Sequence, residues 1–297
     1  KLGAALVARN IASHIEREAM DKPKSWQPLV YCWRGGQRSG ALSLVLGQIG
    51  FRVTIIEGGY KAFRNAMLAD LPAQAQRLHY RVVCGPTGSG KTRLLHALQG
   101  AGAQVLDLEG LAQHRASVLG LIPGQPQPSQ KQFEMRVWDA LRHFDASRPV
   151  YVEAESKKVG NCTVPDALMQ AMRASPCLRV DLPDHERVAL LLEDYPFFVT
   201  DPDFFCRRLD TLVALRGRAV VDEWKQLVHS GQTPAVVREL LEKHYDPGYA
   251  SSTRRNFAQF DGALPVALPD RSHASLEAAC TAILQQQGLG SMAALST

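Results

Sequence analysis

Apolar residues recur at helical spacing at Leu2, Leu6, Val7, Ile11 and Ile15, which predicts an amphipathic helix over 2–17 with its stripe packed into a core. Short apolar runs at 28–31 and 52–56 read as strands, with helical patterns over 40–49 and 60–69. A polar stretch, 70–77, is expected to be a linker. Beyond it the periods alternate more regularly. Runs at 80–84, 103–107, 149–153 and 177–182 read as buried strands, and 91–99 and 131–144 read as helices between them. Strand, helix and strand again imply a parallel sheet, with ligands beyond the carboxyl ends of its strands. After 182 the pattern is mostly helical, with amphipathic stretches at 184–193, 204–215, 220–228 and 234–244. Prolines 123, 126 and 128 exclude regular structure from 123–130, and the last ten residues are expected to be disordered.

The turn between the strand at 80–84 and the helix at 91–99 is Gly85-Pro86-Thr87-Gly88-Ser89-Gly90-Lys91-Thr92, a complete match to G-x-x-x-x-G-K-[ST]. In that context loop amides and a helix N-terminus converge on phosphate oxygens. Glycines 85, 88 and 90 allow close approach, Lys91 supplies a point charge, and the Thr92 hydroxyl can hold Mg²⁺. The pattern names a diphosphate without naming what it carries. Asp107 and Glu109 leave the next strand close by, as Mg²⁺ or base partners or as a helix cap and surface acid. Arg115 is read as an anion binder in the same cleft, and Glu153 stands at a strand end where a metal-supporting carboxylate sits. Ala154 lies between Glu153 and Glu155.

A second loop carries different chemistry. Cys32-Trp33-Arg34-Gly35-Gly36-Gln37-Arg38-Ser39 joins a strand to a helix, so amides, helix dipole, Arg34 and Arg38 favour a thiolate at Cys32. The other five cysteines read as buried hydrophobes, and no spacing suggests a disulfide framework or a zinc site. Residues 1–76 hold 10 Lys/Arg against 5 Asp/Glu, whereas 24 of each follow, so the net charge of +5 lies ahead of the glycine-rich loop. That bias suits an anionic substrate or RNA. No apolar run reaches membrane-spanning length, and a cytoplasmic protein without a membrane partner is expected.

The 32–39 loop with its flanking strand and helix, and Glu57-Gly58-Gly59-Tyr60 beyond, resembles the active-site half of a rhodanese domain. Followed by the glycine-rich loop, then by 107–115 and Val152-Glu153-Ala154-Glu155-Ser156, it resembles the tRNA 2-selenouridine synthase family. The resemblance implies an α/β chain: a partial rhodanese-like domain (1–69), a linker (70–77), a P-loop NTPase-like parallel-sheet domain (78–183), and a helical C-terminal region (184–287) that contacts tRNA. It also implies that the first domain lacks its N-terminal part; Ala116 stands where the family pattern has Gly, and Ala154 where it has an acid, which removes a possible ligand.

The activity implied is transfer at the wobble 2-thiouridine of tRNA. Geranyl diphosphate first alkylates the sulfur; selenium from selenophosphate then replaces the S-geranyl group, with Cys32 as an S-selanylcysteine intermediate cradled by Arg34 and Arg38. The loop Gly85, Thr87, Gly88, Ser89, Gly90, Lys91 and Thr92 would bind the diphosphate, with no tightly bound cofactor beyond Mg²⁺ at Thr92. Three other readings stay open: an ATP-dependent kinase or ATPase fused to a sulfurtransferase, a cysteine phosphatase using the Cys32/Arg38 spacing, and a non-catalytic RNA-binding module. Arg207-Arg208, Arg216, Arg218 and Arg254-Arg255, with Trp224, Tyr245, Tyr249 and Phe257, suit a stacked, charged RNA loop or an ordinary core with a solvated face.

Overall fold

The computed structural model describes residues 1–115 and 124–294, and Ala116 and Pro123 lie outside the described residues. The chain divides into two compact units, Lys1–Leu71 and Pro72–Thr297.

In the first unit, helix α1 (Leu2–His14) runs on into a wider turn at Ile15–Ala19. Strand β1 (Leu29–Val30), helix α2 (Gln37–Ile49) and strand β2 (Thr54–Ile55) follow, and β1 pairs in parallel with β2. Ala19, Val30 and Leu46 form the core, with Trp26 edge-on to Phe51 at 5.2 Å. The expectation that the α1 stripe packs into a core is not met: none of its residues is buried, and Leu2 is 75% exposed. A ladder of two residue pairs offers too little surface to cover that stripe. Helix α3 (Gly59–Gln76) runs through the stretch expected to be a linker, 70–77, and the division between the two units falls within that stretch. Pro72 removes one helical hydrogen bond, yet Ala73, Gln74 and Ala75 favour helix, Ala75 is fully buried, and the Tyr80 hydroxyl donates to Ala75 O at 2.9 Å.

The second unit is built on a five-stranded parallel sheet in the order β4-β5-β3-β8-β9. Its strands are β3 (Tyr80–Cys84), β4 (Gln104–Leu106), β5 (Val150–Glu153), β8 (Cys177–Asp181) and β9 (Leu264–Ala267). A small antiparallel pair, β6 (Lys158–Val159) and β7 (Cys162–Thr163), stands apart. Alternation along β3 sends Tyr80, Val82 and Cys84 to one face and Val83 to the other. The first face is covered by α5 (Leu108–Ala112), α6 (Gln130–His143) and α7 (Asp166–Ala174). The second is covered by α4 (Lys91–Gly100), by Leu190 of α8 (Asp184–Asp194), and by α15 (His273–Ala294). This layered parallel sheet fits a P-loop-like domain.

A separate helical core gathers α8, α9 (Phe197–Thr200), α10 (Pro202–Leu209), α11 (Val213–Arg216), α12 (Arg218–His229) and α13 (Thr233–Leu240) around Trp224. Helix α14 (Asp246–Asn256) leads from it to β9. The region 184–287, expected to be mostly helical, thus also contains one strand, β9. Pro265 disguises β9, which tolerates it as an edge strand, and Val266 and Leu268 return the chain to the sheet core. The last helix reaches Ala294, within the stretch expected to be a tail, and residues 295–297 lie outside the described residues. Among the described residues no helix is long and apolar enough to cross a membrane.

Candidate functional site

A cavity of about 1050 Å³ opens in the second unit where β3, β4 and β5 end. Its floor is the glycine-rich loop. Gly88 and Gly90 have φ of 76° and 87°, a left-handed backbone that lets the turn fold over the start of α4. A side chain at Gly88 would strike Leu191 at 3.0 Å, so the loop lies directly on α8. Ser89 is fully buried, and no hydrogen-bond partner for its Oγ is found among the described residues. Lys91 Nζ donates to Gly85 O (2.9 Å) and Pro86 O (3.3 Å) and lies 3.6 Å from Glu153 Oε1. The ammonium is thus folded back over the loop, ready to exchange carbonyl partners for an anion.

One side of the cavity is acidic. Carboxylate oxygens of Glu109, Glu153 and Glu155 lie within 4.8 Å of one another. Thr92 Oγ1 is 3.2 Å from Glu153 Oε2 and 3.5 Å from Glu109 Oε2, and its single proton serves one of them at a time. Burial pushes the Glu153 carboxyl above the usual range, against the pull of Lys91. Glu155 is pushed up much further, by burial and then by the charges of Glu153 and Glu109. Glu153 and Glu155 share a side because strand-like backbone repeats every two residues, while Ala154 packs toward the opposite core. The alanine at 154 therefore takes nothing from the cluster. Asp107 is the side-chain cap of α5, its Oδ1 accepting from the Gly110 amide at 2.8 Å.

Arg115 lies 4.5 Å over the Tyr195 ring and 3.8 Å from Asp194 Oδ2. Tyr195 in turn stacks on Phe198 (4.9 Å), and Phe198 on Phe205 (4.1 Å), so the helical core holds that ring rigid. His114 also lines the cavity, buried, with its basicity lowered by burial and by Arg208.

Arg187 was not singled out from the sequence. It is 4% exposed, and its Nε and Nη2 donate to Thr87 O at 3.0 and 2.8 Å while Nη1 and Nη2 form a fork with Asp246. The available signal was a charge on the apolar stripe of α8, at helical spacing from Leu190 and Leu191. Arg187→Met is expected to lower stability by about 2 kcal/mol, since the Asp246 carboxylate, one third exposed, and a loop carbonyl lose a buried donor. Urea unfolding measures this, and a change within 0.5 kcal/mol (roughly what surface substitutions give) would sink the assignment.

Of the aromatics suited to RNA stacking, Trp224 is fully buried, its Nε1 donating to Glu239 Oε2 at 3.0 Å, and Phe257 belongs to the sheet core. Both are therefore core residues. Arg207, Arg218, Arg254 and Arg255 are exposed, while Arg216 sits against His244 Nδ1 at 3.2 Å.

The Cys32 loop belongs to the first unit. Gly35 and Gly36 have φ of 78° and 70°, Gly36 caps α2, and the Tyr60 amide donates to Cys32 O at 3.1 Å. The Ser39 hydroxyl above all, helped by the Ser39 and Gly36 amides, brings the Cys32 thiol down to about 7. That hydroxyl also lies 3.0 Å from Gly36 O, so its rotor chooses between carbonyl and sulfur. Arg34 and Arg38 are exposed beside it, and the other five cysteines are buried free thiols. Alkylation of Cys32 by iodoacetamide is expected to titrate with a midpoint near 7, and Ser39→Ala is expected to raise it toward about 8.5. A midpoint unmoved by the substitution would remove Ser39 from the account.

Residues 78–203 match the tRNA 2-selenouridine synthase AAA domain. The chain is 37% identical to the tRNA 2-selenouridine synthase of Marinobacter nauticus over 66% of this chain and 53% of that protein. The corresponding figures are 34% for that of Aeromonas salmonicida, over 74% and 66%, and 34% for that of Verminephrobacter eiseniae, over 81% and 73%. The matched part thus spans about half of the first of these relatives and 66% of the second. With a third of positions identical along nearly three quarters of a full relative, the chain belongs to the tRNA 2-selenouridine synthase family.

Proposed function

We propose that this chain modifies the wobble 2-thiouridine of tRNA in two steps, geranylation followed by replacement of the S-geranyl group with selenium, as a cytoplasmic tRNA 2-selenouridine synthase. The observation that carries the reading is the cavity of the second unit, where an anion-binding loop, Arg115 and a wall of aromatic residues meet in one space. At about 1050 Å³ it stands at the upper end of ordinary ligand pockets, about 300–1,000 Å³, with room for a diphosphate ester and an entering base.

In the first step the thiocarbonyl sulfur attacks C1 of geranyl diphosphate: an S–C bond forms, the C–O bond breaks, diphosphate departs and the N3 proton of the base passes to solvent. Loop amides from Gly85 to Gly90, with Lys91, hold the leaving group as its charge grows. Arg115, resting on Tyr195 above the cavity, is the second cation within reach of the departing oxygens. The hard oxygen donors of Thr92, Glu109 and Glu153 fit a Mg²⁺ ion, and the crowding that raises the Glu155 carboxyl is what a nearby cation would relieve. Such an ion would supply further charge neutralisation on the diphosphate.

The second step belongs to the first unit, read as a partial rhodanese-like domain over 1–69. The Cys32 thiolate first exchanges with a small-molecule disulfide; the selenium of selenophosphate then attacks the Cys32 sulfur, so that the S–Se bond of the S-selanyl group forms, the S–S bond breaks and a small thiol leaves, while water takes the phosphoryl group as phosphate, which the loop amides with Arg34 and Arg38 bind. The exposed Arg207, Arg218, Arg254 and Arg255 of 184–287 are the proposed tRNA phosphate contacts. The test is mass spectrometry of a 2-thiouridine anticodon stem-loop incubated with the protein and geranyl diphosphate, then with selenophosphate. A geranyl shift that converts to 2-selenouridine supports both steps. Nucleotide hydrolysis dependent on Lys91, with no change in the RNA, would return the kinase or ATPase reading.

A further inference from the structure

We infer that the stacked rings of Trp33 and Tyr60 form a platform on which the wobble base of the tRNA lies beside Cys32. The inference rests on reading Cys32 as the thiol that serves this base, and it adds how the first unit holds the base. Trp33 follows the thiol directly, its ring 4.3 Å from that of Tyr60 at an interplanar angle of 10°, and the residue is 56% exposed. Tyr60 is tied to the same loop: its amide donates to Cys32 O at 3.1 Å, and a Cβ at Gly59 (φ 57°) would collide with that oxygen. Phe63, one turn further along α3, braces Tyr60 at 6.4 Å. Rings and thiol are therefore held in one fixed relation. A base that stacks here meets a surface already ordered, so little freedom is lost on binding.

Their place in the fold sets these rings apart from the other exposed apolar side chains of the unit. Leu29 and Ile55 are exposed on the strands themselves, β1 and β2. The two strands run parallel, and the loops that carry Cys32-Trp33 and Gly58-Gly59-Tyr60 both leave their carboxyl ends, where a parallel sheet places its ligands. Charge and shape then select the occupant. Arg34, Arg38, Arg52, Lys61 and Arg64 stand between 31 and 64 against the one acid Glu57, and all but Arg64 of these cations are exposed. Flat rings among cations suit a base splayed from a single-stranded RNA loop, whose phosphates the cations meet. The buried centre of a protein–protein contact is instead depleted in charge.

Protection of Cys32 from iodoacetamide tests this on the full chain, with a 2-thiouridine anticodon stem-loop and the same stem-loop lacking its wobble base as probes. The intact stem-loop is expected to slow alkylation of Cys32. Trp33→Ala should raise the RNA concentration for half-protection by about tenfold or more, the scale of one base–aromatic stack, and Trp33→Phe, which keeps a ring, by less than about threefold. The abasic stem-loop should show the same increase on the parent chain and no further increase on Trp33→Ala, because one contact cannot be removed twice. That lack of additivity separates a stack from a loop that has merely shifted. Additive losses, equal protection of the parent by the intact and abasic stem-loops, or no protection by the intact one would each overturn the inference. Protection by the S-geranylated stem-loop but not by its 2-thiouridine form would overturn it too, and assign the rings to the hydrocarbon. If protection follows the expected pattern and no selenium enters the RNA, the platform stands and the proposed chemistry falls.

Discussion

Lys91→Ala is expected to weaken diphosphate binding by about a hundredfold or more, measured by calorimetry with inorganic diphosphate, because it removes the one mobile cation of the loop. The ammonium is held in waiting by Gly85 O, Pro86 O and the Glu153 carboxylate, and each of those contacts is weaker than the charge-assisted bonds that a diphosphate offers. The same substitution leaves Glu153, 4% exposed, with only the Thr92 hydroxyl to answer its charge. Its carboxyl, already raised by burial, must then rise further. A carboxyl whose pKa is higher folded than unfolded binds its proton more tightly in the native state, so the penalty is absent below about pH 4, the unfolded value, and grows as pH climbs toward the folded one. The stability deficit of Lys91→Ala should accordingly be smaller at pH 5 than at pH 8. A deficit independent of pH would separate Lys91 from Glu153, and an unaltered diphosphate affinity would remove the loop from the chemistry.

The position of Lys91 shows what the sequence made legible. The loop motif demands a strand before it and a helix after it, and both are found where periodicity placed them, as do β4, β5 and β8 to within two residues. These elements are long in apolar content and buried on both faces, so local pattern and tertiary packing agree. Legibility failed where packing rather than period decides. Strand β9 hides behind Pro265 because an edge position forgives a missing donor, and 70–76 is helical although its composition reads as a linker. The acidic side of the cavity was half visible. Glu109 and Glu153 could be placed at strand ends, but the inclusion of Glu155 depends on the backbone staying extended past β5, which no residue preference announces. Arg187 illustrates the opposite case, a charge on an apolar stripe that was present to be read and whose partners, Thr87 and Asp246, lie 100 and 59 residues away.

Cys32→Ala is expected to abolish selenium incorporation while leaving geranylation of the RNA intact, read in one mass-spectrometric assay before and after selenophosphate. The separation follows from where the groups lie. Every residue proposed to hold the diphosphate belongs to the second unit, whose core includes nothing from 1–71, so loss of a thiol in the first unit removes no contact from that cavity. Within its own unit Cys32 is half exposed and its side chain fills no core, so alanine costs little packing and the 32–39 loop keeps Gly36 as the cap of α2. What disappears is the one thiol brought down to about 7, which at neutral pH is about half ionised where an ordinary cysteine is a few per cent. Cys32→Ser sharpens the comparison, since a hydroxyl keeps the size and the Ser39 contact but supplies no comparable nucleophile at neutral pH. Selenium transfer should be lost in both variants by at least about a thousandfold, the scale on which removing an activated nucleophile acts. If either variant still converts the geranylated RNA to 2-selenouridine at the parent rate, selenium never passes through the thiol, and selenophosphate must attack the uridine directly.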